Sequence, residues 1–285
     1  MEKIMKNAIK SQLYILLNRK QYKFILAVSI ALSLLSFVLY AFADFGQYMP
    51  DIKSFRDTSI ISSKNMFSSI LFTVLPILSV VPFCDSYIDD KKNSRLPVIF
   101  QLCSREQYFY SKLFVCAFST VLTVGVPVFI NLILGTVAFP DISTADLTGL
   151  ASNQAFLYLA DSEYMTTLAF KNLFISHPFL YSFIYVIFIT LYAGVGAMLT
   201  YSLSFYFKNR AMIVVPFFVF NTLLNIISSF TLSNFGFEIS MSDYVLSENI
   251  SRGINYLAFF AIIILMLALS IVLSRINIKK LGDVV

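Results

Sequence analysis

Six long apolar stretches dominate the pattern of hydrophobic and polar positions, and none of them contains Asp, Glu, Lys or Arg. They cover residues 24–43, 66–84, 113–139, 178–207, 211–230 and 256–274. About 20 apolar residues suffice for an α-helix to cross the hydrocarbon core of a bilayer, whereas transmembrane β-strands are short and alternate. The pattern therefore predicts an all-α, polytopic membrane protein with six transmembrane helices in a single domain over residues 1–285.

Lysine and arginine are distributed unequally between the two faces that six spans would define. The first 23 residues, the connection 85–112 and the ends of the fourth and sixth spans hold 16 of these residues, whereas the other connections hold 5. Because cytoplasmic segments carry the excess of Lys and Arg, both termini are expected in the cytoplasm. The net charge of +5 then reflects topology and contact with anionic membrane lipid, and it does not indicate nucleic-acid binding.

Composition supports the membrane class and indicates a compartment. The chain is 58% hydrophobic and 13% charged, with a mean hydropathy of +0.78, whereas about a quarter of the residues in soluble domains are charged. The 30 Phe residues and the absence of Trp, with common Lys, Ile and Asn, indicate an AT-rich bacterial source. We expect a multi-pass protein of the bacterial cytoplasmic membrane. Its first span is expected to be a retained anchor, because its leader and apolar run are longer than those of a signal peptide.

The spans lack the groups on which several transport and enzyme mechanisms depend. They contain no Asp, Glu, Lys or Arg, and the one histidine, His177, stands at the edge of the fourth span, which disfavours an ion-coupled carrier. No G-x-x-x-x-G-K-[ST] loop occurs, so the chain is not expected to bind ATP or to be an enzyme by itself. No cluster of His, Asp, Glu or Cys predicts a metal site or a membrane enzyme. Any uphill transport would draw its energy from a partner.

Polar and small residues inside the spans have two interpretations each. Asn131 lies in the third span, and Asn221, Asn225 and Ser228 lie in the fifth. Interhelical hydrogen bonds, worth about 0.6 kcal/mol each, are the favoured role, and lining of a transport pathway is the alternative. The run AGVGA, residues 193–197, allows close helix approach either in the bundle core or at a dimer seam. Kinks are expected at the prolines of three spans, Pro76, Pro82, Pro127 and Pro216.

The first 23 residues combine lysines with apolar residues at helical spacing, among them Ile9, Leu13 and Leu16. This spacing predicts an amphipathic helix that lies along the inner leaflet and leads into the first span. A solvated basic leader that only sets the topology is the alternative.

The connection 85–112 places a short apolar helix between charged residues. Ser94 is a candidate N-cap for this helix, and Pro97 falls within its first turn, where a missing N–H costs little. Three apolar residues can share one side of it, namely Val98, Ile99 and Leu102. A loop that only set the topology would need lysines alone. The apolar side therefore predicts docking into the groove of a partner.

These residues carry a resemblance to a known family. The run DDKKNSRLPVIFQL, followed by Ser104-Arg105, Tyr108 and Lys112, resembles the coupling segment of ABC transporter permeases, of the six-span exporter type whose ATPase is a separate chain. In that family a charged stretch, a short leucine-containing helix, Ser-Arg and a Lys entering the third span follow the second span. The resemblance covers the architecture of nearly the whole chain, and its motif is confined to residues 89–112.

The resemblance implies site residues and partners. The residues implied to couple the chain to an ATPase are Asp89, Asp90, Leu96, Val98, Ile99, Leu102 and Arg105. The implied partners are two ATP-binding cassette subunits, which would hold ATP and Mg²⁺, and a second permease chain, identical or merely similar. The first 23 residues would be the connecting helix of the family, and the connection between the fifth and sixth spans would hold short re-entrant helices.

Two features depart from the family pattern. Asp89 and Asp90 stand where Glu is common, and the connection 140–177 is longer than a brief turn. This connection can form a mostly apolar helix that begins at a Ser152 cap and rests on the outer leaflet or on the bundle. It is either a lid that contacts an amphipathic substrate or an addition without that role.

The expected function is that of a permease subunit of an ATP-driven exporter. Its substrate is expected to be amphipathic or hydrophobic, such as a peptide antibiotic or bacteriocin, a drug or a lipid-like molecule. An ATP-independent carrier or channel is one alternative, and it would give flux without an ATPase. A sensor or immunity subunit that keeps the exporter architecture without transporting is another.

Overall fold

The computed structural model describes residues 2–47, 52–139, 170–235, 239–247 and 256–282, and helices dominate these ranges. The helices are α1 Glu2–Asn18, α2 Lys20–Ala43, α3 Phe55–Thr58, α4 Met66–Val80, α5 Ser86–Lys92, α6 Leu96–Leu102, α7 Arg105–Thr120, α8 Val126–Ala138, α9 Lys171–Ser176, α10 Pro178–Leu203, α11 Val214–Phe235, α12 Met241–Val245 and α13 Tyr256–Gly282. Within these ranges, extended pairing is limited to one isolated bridge between Ser62 and Ser247. The predicted all-α class is confirmed.

Five helical segments are long and apolar enough to cross a membrane. They are Lys20–Ala43, Arg105–Ala138, Pro178–Tyr206, Arg210–Thr231 and Tyr256–Lys280. Each is at least 22 residues long, which exceeds the roughly 20 residues that a bilayer core requires. These helices indicate a multi-pass membrane protein, as the sequence predicts.

The stretch 66–84 forms a shorter helix than its length suggests, and prolines explain the difference. Helix α4 has 15 residues, continues through Pro76 and ends at Val80, two residues before Pro82, which has no N–H to donate to the Leu78 carbonyl. The Thr123 hydroxyl donates to that carbonyl instead, at 3.0 Å. In the same way Pro127 cannot donate to the carbonyl of Thr123, and the chain makes a π-helical turn over Val121–Gly125 between α7 and α8.

Helix α4 runs antiparallel to α2 and joins the same two ends of the bundle. Beside α4's first turn, the Asn65 side chain donates to the Ser36 hydroxyl and the Met66 N–H donates to the Tyr40 hydroxyl. Beyond α4's last turn, Asp85 is paired with Arg19, just before α2. Because Arg19 and Tyr40 are separated by the length of a membrane-crossing helix, about 30 Å, residues 65–85 cover that distance as well.

Helix α10 is the centre of the bundle. It packs against α4, α7, α11 and α13, and 61% of its most apolar window is buried, compared with 22% for α2 and 22% for Arg210–Thr231. The run AGVGA is buried in these contacts. A Cβ atom on Gly194 would lie 3.1 Å from the Thr120 hydroxyl, and one on Gly196 would lie 2.2 Å from the Phe217 ring. In the described part of the chain, the run therefore belongs to the bundle core.

The polar connections collect at two opposite ends. At one end, Ser63 N–H donates to the Ser247 carbonyl at 2.9 Å and Arg56 donates to the Phe174 carbonyl at 3.0 Å. A mostly apolar helix is predicted within 140–177. Its part before residue 170 lies outside the described residues. The other end, here called the basic end, contains α1, α5, α6, residues 204–213 and the last turns of α13.

Candidate functional site

The connection 85–112 lies at the basic end and folds into two short helices, α5 and α6, before α7 begins. Helix α7 begins at a capping box: Ser104 Oγ accepts from Gln107 N–H at 3.3 Å, and Gln107 Oε1 accepts from Ser104 N–H at 3.1 Å. Reciprocal caps of this kind satisfy two backbone donors at a helix N-terminus. Helix α7 therefore has a defined start at Ser104, two residues after the end of α6.

The turn between α5 and α6 is closed by backbone hydrogen bonds. Arg95 N–H donates to the Asp90 carbonyl at 2.9 Å and Ser94 N–H donates to the Lys91 carbonyl at 3.2 Å. This is the Schellman arrangement, which needs a left-handed residue, and Ser94 has φ +52°. The prediction that Ser94 caps α6 is wrong: Arg95 occupies the N-cap position, and Ser94 is used to end α5. Pro97 lies in the first turn of α6.

Helix α6 has one attached side and one exposed side. Leu96, Ile99 and Phe100 are half-buried and pack against the core. The Phe100 ring meets the Tyr108 ring edge-on with centroids 5.5 Å apart, and the Arg105 guanidinium lies 5.8 Å from the Phe100 centroid.

The exposed side of α6 is also apolar. Val98 is 59% exposed and Leu102, one helical turn later, is 79% exposed. Ile99, which the sequence places on the same side as these two, is partly covered by the bundle. Val98 and Leu102 are therefore the large apolar side chains of α6 that a partner can reach.

Asp89 links three parts of the basic end. Arg19, which lies between α1 and α2, forms ion pairs with Asp85 and Asp89. Arg210, at the start of the segment leading into α11, forms an ion pair with the other oxygen of Asp89. The Arg19 guanidinium also lies over the Phe83 ring, 5.3 Å from its centroid. Because the Arg19 side chain is mostly buried, its pairs are screened less than the exposed pair made by Arg210.

Asp90 forms a second, more buried cluster with Lys112 and Tyr108. Lys112 is 1% exposed, and its ammonium pairs with Asp90 and lies 4.5 Å from the Tyr108 centroid. The Tyr108 hydroxyl donates to the same Asp90 oxygen at 2.7 Å. Since Tyr108 also contacts Phe100, this cluster connects α6 to the buried start of α7.

Burial changes the acidity of side chains at this end, among them Tyr87 and Cys103. Burial raises the pKa of the Tyr87 hydroxyl and the pKa of the Cys103 thiol above their usual values. Both groups are therefore neutral at physiological pH. Among the described residues, no three His, Cys, Asp or Glu side chains stand close enough together to hold a metal ion.

The polar residues predicted within the spans all take part in hydrogen bonds inside the bundle. Asn131 accepts from Ile60 N–H and donates to the Ser33 carbonyl, each at 2.9 Å. Asn221 accepts from the Tyr192 hydroxyl at 2.9 Å. The remaining two bind residues 239–240: Asn225 accepts from Ser240 Oγ at 2.8 Å, and Ser228 Oγ accepts from Ile239 N–H at 2.9 Å. The bonds of Asn131 and Asn221 reach other helices, whereas those of Asn225 and Ser228 hold the connection before α12. A pathway role for the four residues stays a prediction.

An apolar cavity of about 500 Å³ lies between α7–α8 and α10. Its walls include Ala117, Val121, Phe129, Phe183 and Leu191, and the four predicted pathway residues are not among its lining residues. The cavity lies at the depth of the membrane spans, where acyl chains surround the protein.

Sequence reasoning missed the roles of Arg19 and Arg210. Both contribute to the excess of positive charge that sets the topology, and no local pattern marks either one as a partner of Asp89. The sequence marks Lys112 as the residue entering the third span, although its burial beside Asp90 could not be read from that position. Searches of family models, curated proteins and solved structures found no match to this chain. The site therefore has to be interpreted from its own geometry.

Proposed function

We propose that this chain is the membrane-spanning permease subunit of an ATP-driven ABC exporter, with the ATPase on separate polypeptides. In this proposal the chain crosses the bacterial cytoplasmic membrane six times, α4 being the second crossing, and both termini are cytoplasmic. The basic end then faces the cytoplasm, in agreement with the distribution of Lys and Arg.

The observation that carries the proposal is the exposed apolar side of α6. Val98 and Leu102 project from a seven-residue helix that follows the Schellman turn and packs on α7 through Phe100 and Tyr108. A leucine that becomes fully buried on docking contributes about 1.5–3 kcal/mol. A short, firmly held apolar projection is suited to a groove on a partner, as amphipathic segments are in other complexes.

The contacts behind α6 supply a route by which a displaced helix could move the spans. Phe100 contacts Tyr108, and Tyr108 shares Asp90 with the buried ammonium of Lys112 near the start of the third span. One position earlier, Asp89 is bound to Arg19 before the first span and to Arg210 before the fifth. A shift of α5 and α6 would therefore act on the first, third and fifth spans together.

The proposed assembly contains two ATP-binding subunits, which hold ATP and Mg²⁺, and a second permease chain. Helix α2 and the Arg210–Thr231 helix have the lowest share of buried residues among the spans, and their exposed faces are available to a second permease or to lipid. The spans contain no Asp, Glu, Lys or Arg, which favours an amphipathic or hydrophobic substrate such as a peptide antibiotic, a bacteriocin, a drug or a lipid-like molecule.

The test is co-purification and ATP hydrolysis with the ATP-binding subunit encoded beside the gene. We expect the wild-type chain to elute with that subunit, and Leu102→Asp to abolish co-elution, because a carboxylate cannot enter an apolar groove without a large desolvation cost. Met212→Asp is the matched control, since Met212 is 51% exposed and also lies at the basic end. Elution of the wild-type chain without the ATPase, or an equal loss from both variants, would contradict the proposal.

A further inference from the structure

A cavity at the basic end has the properties of a binding site for an anion. It has a volume of about 1030 Å³ and lies between α5, α6, the end of α10 and the last turns of α13. Three of its lining residues are cationic, Lys91, Arg105 and Lys280, and its lining contains no Asp or Glu. The cavity is here called the cationic cavity.

None of the three cations forms an ion pair with a described residue. The ion pairs that the structure forms at this end use Arg19, Lys112 and Arg210, and none of them uses a cation of the cavity. Three positive charges facing one space repel each other. A bound anion would remove this repulsion and would gain charge-assisted hydrogen bonds.

Aromatic and apolar side chains complete the cavity. The Tyr87 and Phe205 rings stack with centroids 3.7 Å apart, and the Lys280 ammonium lies 5.3 Å from the Tyr206 centroid. Leu96 and Phe100 of α6 provide an apolar wall. This combination of cations with apolar surface suits a ligand that carries both an anionic group and an apolar part, and it suits inorganic phosphate less well.

The position of the cavity identifies the source of such a ligand. It lies where the apolar run of α13 ends at Ser274 and the helix continues to Lys279 and Lys280. Tyr206, at the cavity and 52% exposed, belongs to the residue type that is enriched at the headgroup level. Basic pockets between helices at the cytoplasmic surface bind the headgroups of anionic lipids.

We propose that the cationic cavity binds the phosphate headgroup of an anionic phospholipid. Lys91, Arg105 and Lys280 hold the phosphate, and the glycerol and the upper acyl chains lie over Leu96 and Phe100. Leu96 and Phe100 belong to α6 and also line the cavity, so a lipid bound there holds α6 against the bundle. The proposal concerns this chain and its bilayer, and it does not depend on an ATPase partner.

The test is native mass spectrometry of the purified full chain in neutral detergent at 0.15 M salt, titrated with phosphatidylglycerol or phosphatidylcholine. We expect one phosphatidylglycerol adduct to form first, and phosphatidylcholine to bind more weakly. Lys91→Gln with Lys280→Gln should weaken phosphatidylglycerol binding about 30-fold, because each lysine near an anionic headgroup contributes about fivefold. The double change to Arg should retain binding.

The matched control is Lys20→Gln with Lys23→Gln, which removes the same charge from exposed positions at the start of α2 that do not line the cavity. This control should leave the first adduct unchanged, because neither side chain lines the cavity and this salt concentration screens exposed charges over about 10 Å. The assignment of the site would be overturned if both double Lys→Gln variants weakened phosphatidylglycerol binding equally. Equal binding of the two lipids to the wild-type chain would also overturn it. Displacement of the lipid by an equal concentration of glycerol phosphate would indicate a soluble ligand and would overturn the lipid assignment.

Discussion

Replacement of Asp90 with Asn is expected to destabilise the protein strongly, because it leaves the Lys112 ammonium buried without a counter-charge. Lys112 is 1% exposed and pairs with Asp90, which also accepts a hydrogen bond from Tyr108 at 2.7 Å. The asparagine keeps the shape of the side chain and an acceptor for Tyr108. The substitution therefore removes the charge and little else.

The size of the effect follows from this burial. Removing one partner of a buried ion pair costs about 3–5 kcal/mol. For domains of 150–250 residues, 1 kcal/mol shifts the unfolding midpoint by about 2–4 °C, so Asp90→Asn is expected to lower it by about 10 °C. Combining Asp90→Asn with Lys112→Met should recover most of this loss, because the double variant leaves no charge in the cluster.

The assay is thermal unfolding of the detergent-solubilised protein, followed with a thiol-reactive fluorophore. In a Cys103→Ser background, which removes the partly exposed thiol, the buried Cys84 and Cys116 become reactive when the bundle opens and report on unfolding. Lys64→Gln is the control, because the Lys64 side chain is 46% exposed and its pair with Asp57 should contribute less than about 1 kcal/mol. The reasoning is refuted if Asp90→Asn costs no more than this control, or if the double variant is no more stable than Asp90→Asn.

Three further predictions concern helix packing and the turn before α6, and each is measured as a change in the unfolding midpoint. Asn131→Leu should cost about 1–3 kcal/mol, because it leaves the buried Ile60 N–H without a partner and removes the second hydrogen bond of the Ser33 carbonyl; a midpoint within 1 °C of wild type would contradict this role. Gly196→Ala should cost about 1–3 kcal/mol, because the new methyl group would overlap the Phe217 ring, and an unchanged midpoint would show that the ring moves freely. Ser94→Gly should stabilise the protein by about 1 kcal/mol, because glycine adopts φ +52° without the strain that serine carries; destabilisation would refute that strain.

The long helices were predictable because the membrane imposes a simple rule on the sequence. A helix that satisfies its own backbone needs about 20 apolar residues, and five of the six predicted stretches give helices of that length or more. The stretch 66–84 differs because one proline has two possible effects. A proline in an apolar run either kinks a helix or ends it: α4 continues through Pro76 and ends before Pro82, where the Thr123 hydroxyl of another segment donates to the Leu78 carbonyl.

The position of the site in the chain was predictable, but the ion pairs that join it to the rest of the bundle were not. The charged segment around a short apolar helix indicated where α6 lies, and Pro97 indicated its first turn. The ion pairs of Asp89 join residues 70 and 121 positions away in the sequence, and no local pattern encodes such distances. The assignment of Ser94 as an N-cap failed because serine also occupies left-handed turn positions, and the backbone bonds of the Schellman turn decided between the two roles.

The central claim is that an ATPase subunit binds the exposed side of α6, and site-directed cross-linking in membranes tests it most directly. Leu102→Cys would be introduced with Cys103→Ser, which leaves the two buried cysteines as the other thiols, and treated with a thiol-specific cross-linker in the presence of the ATP-binding subunit. The account predicts a cross-link from position 102 to that subunit, and none from Met212→Cys in the same background. Absence of the product from position 102, or equal yields from both positions, would contradict the account.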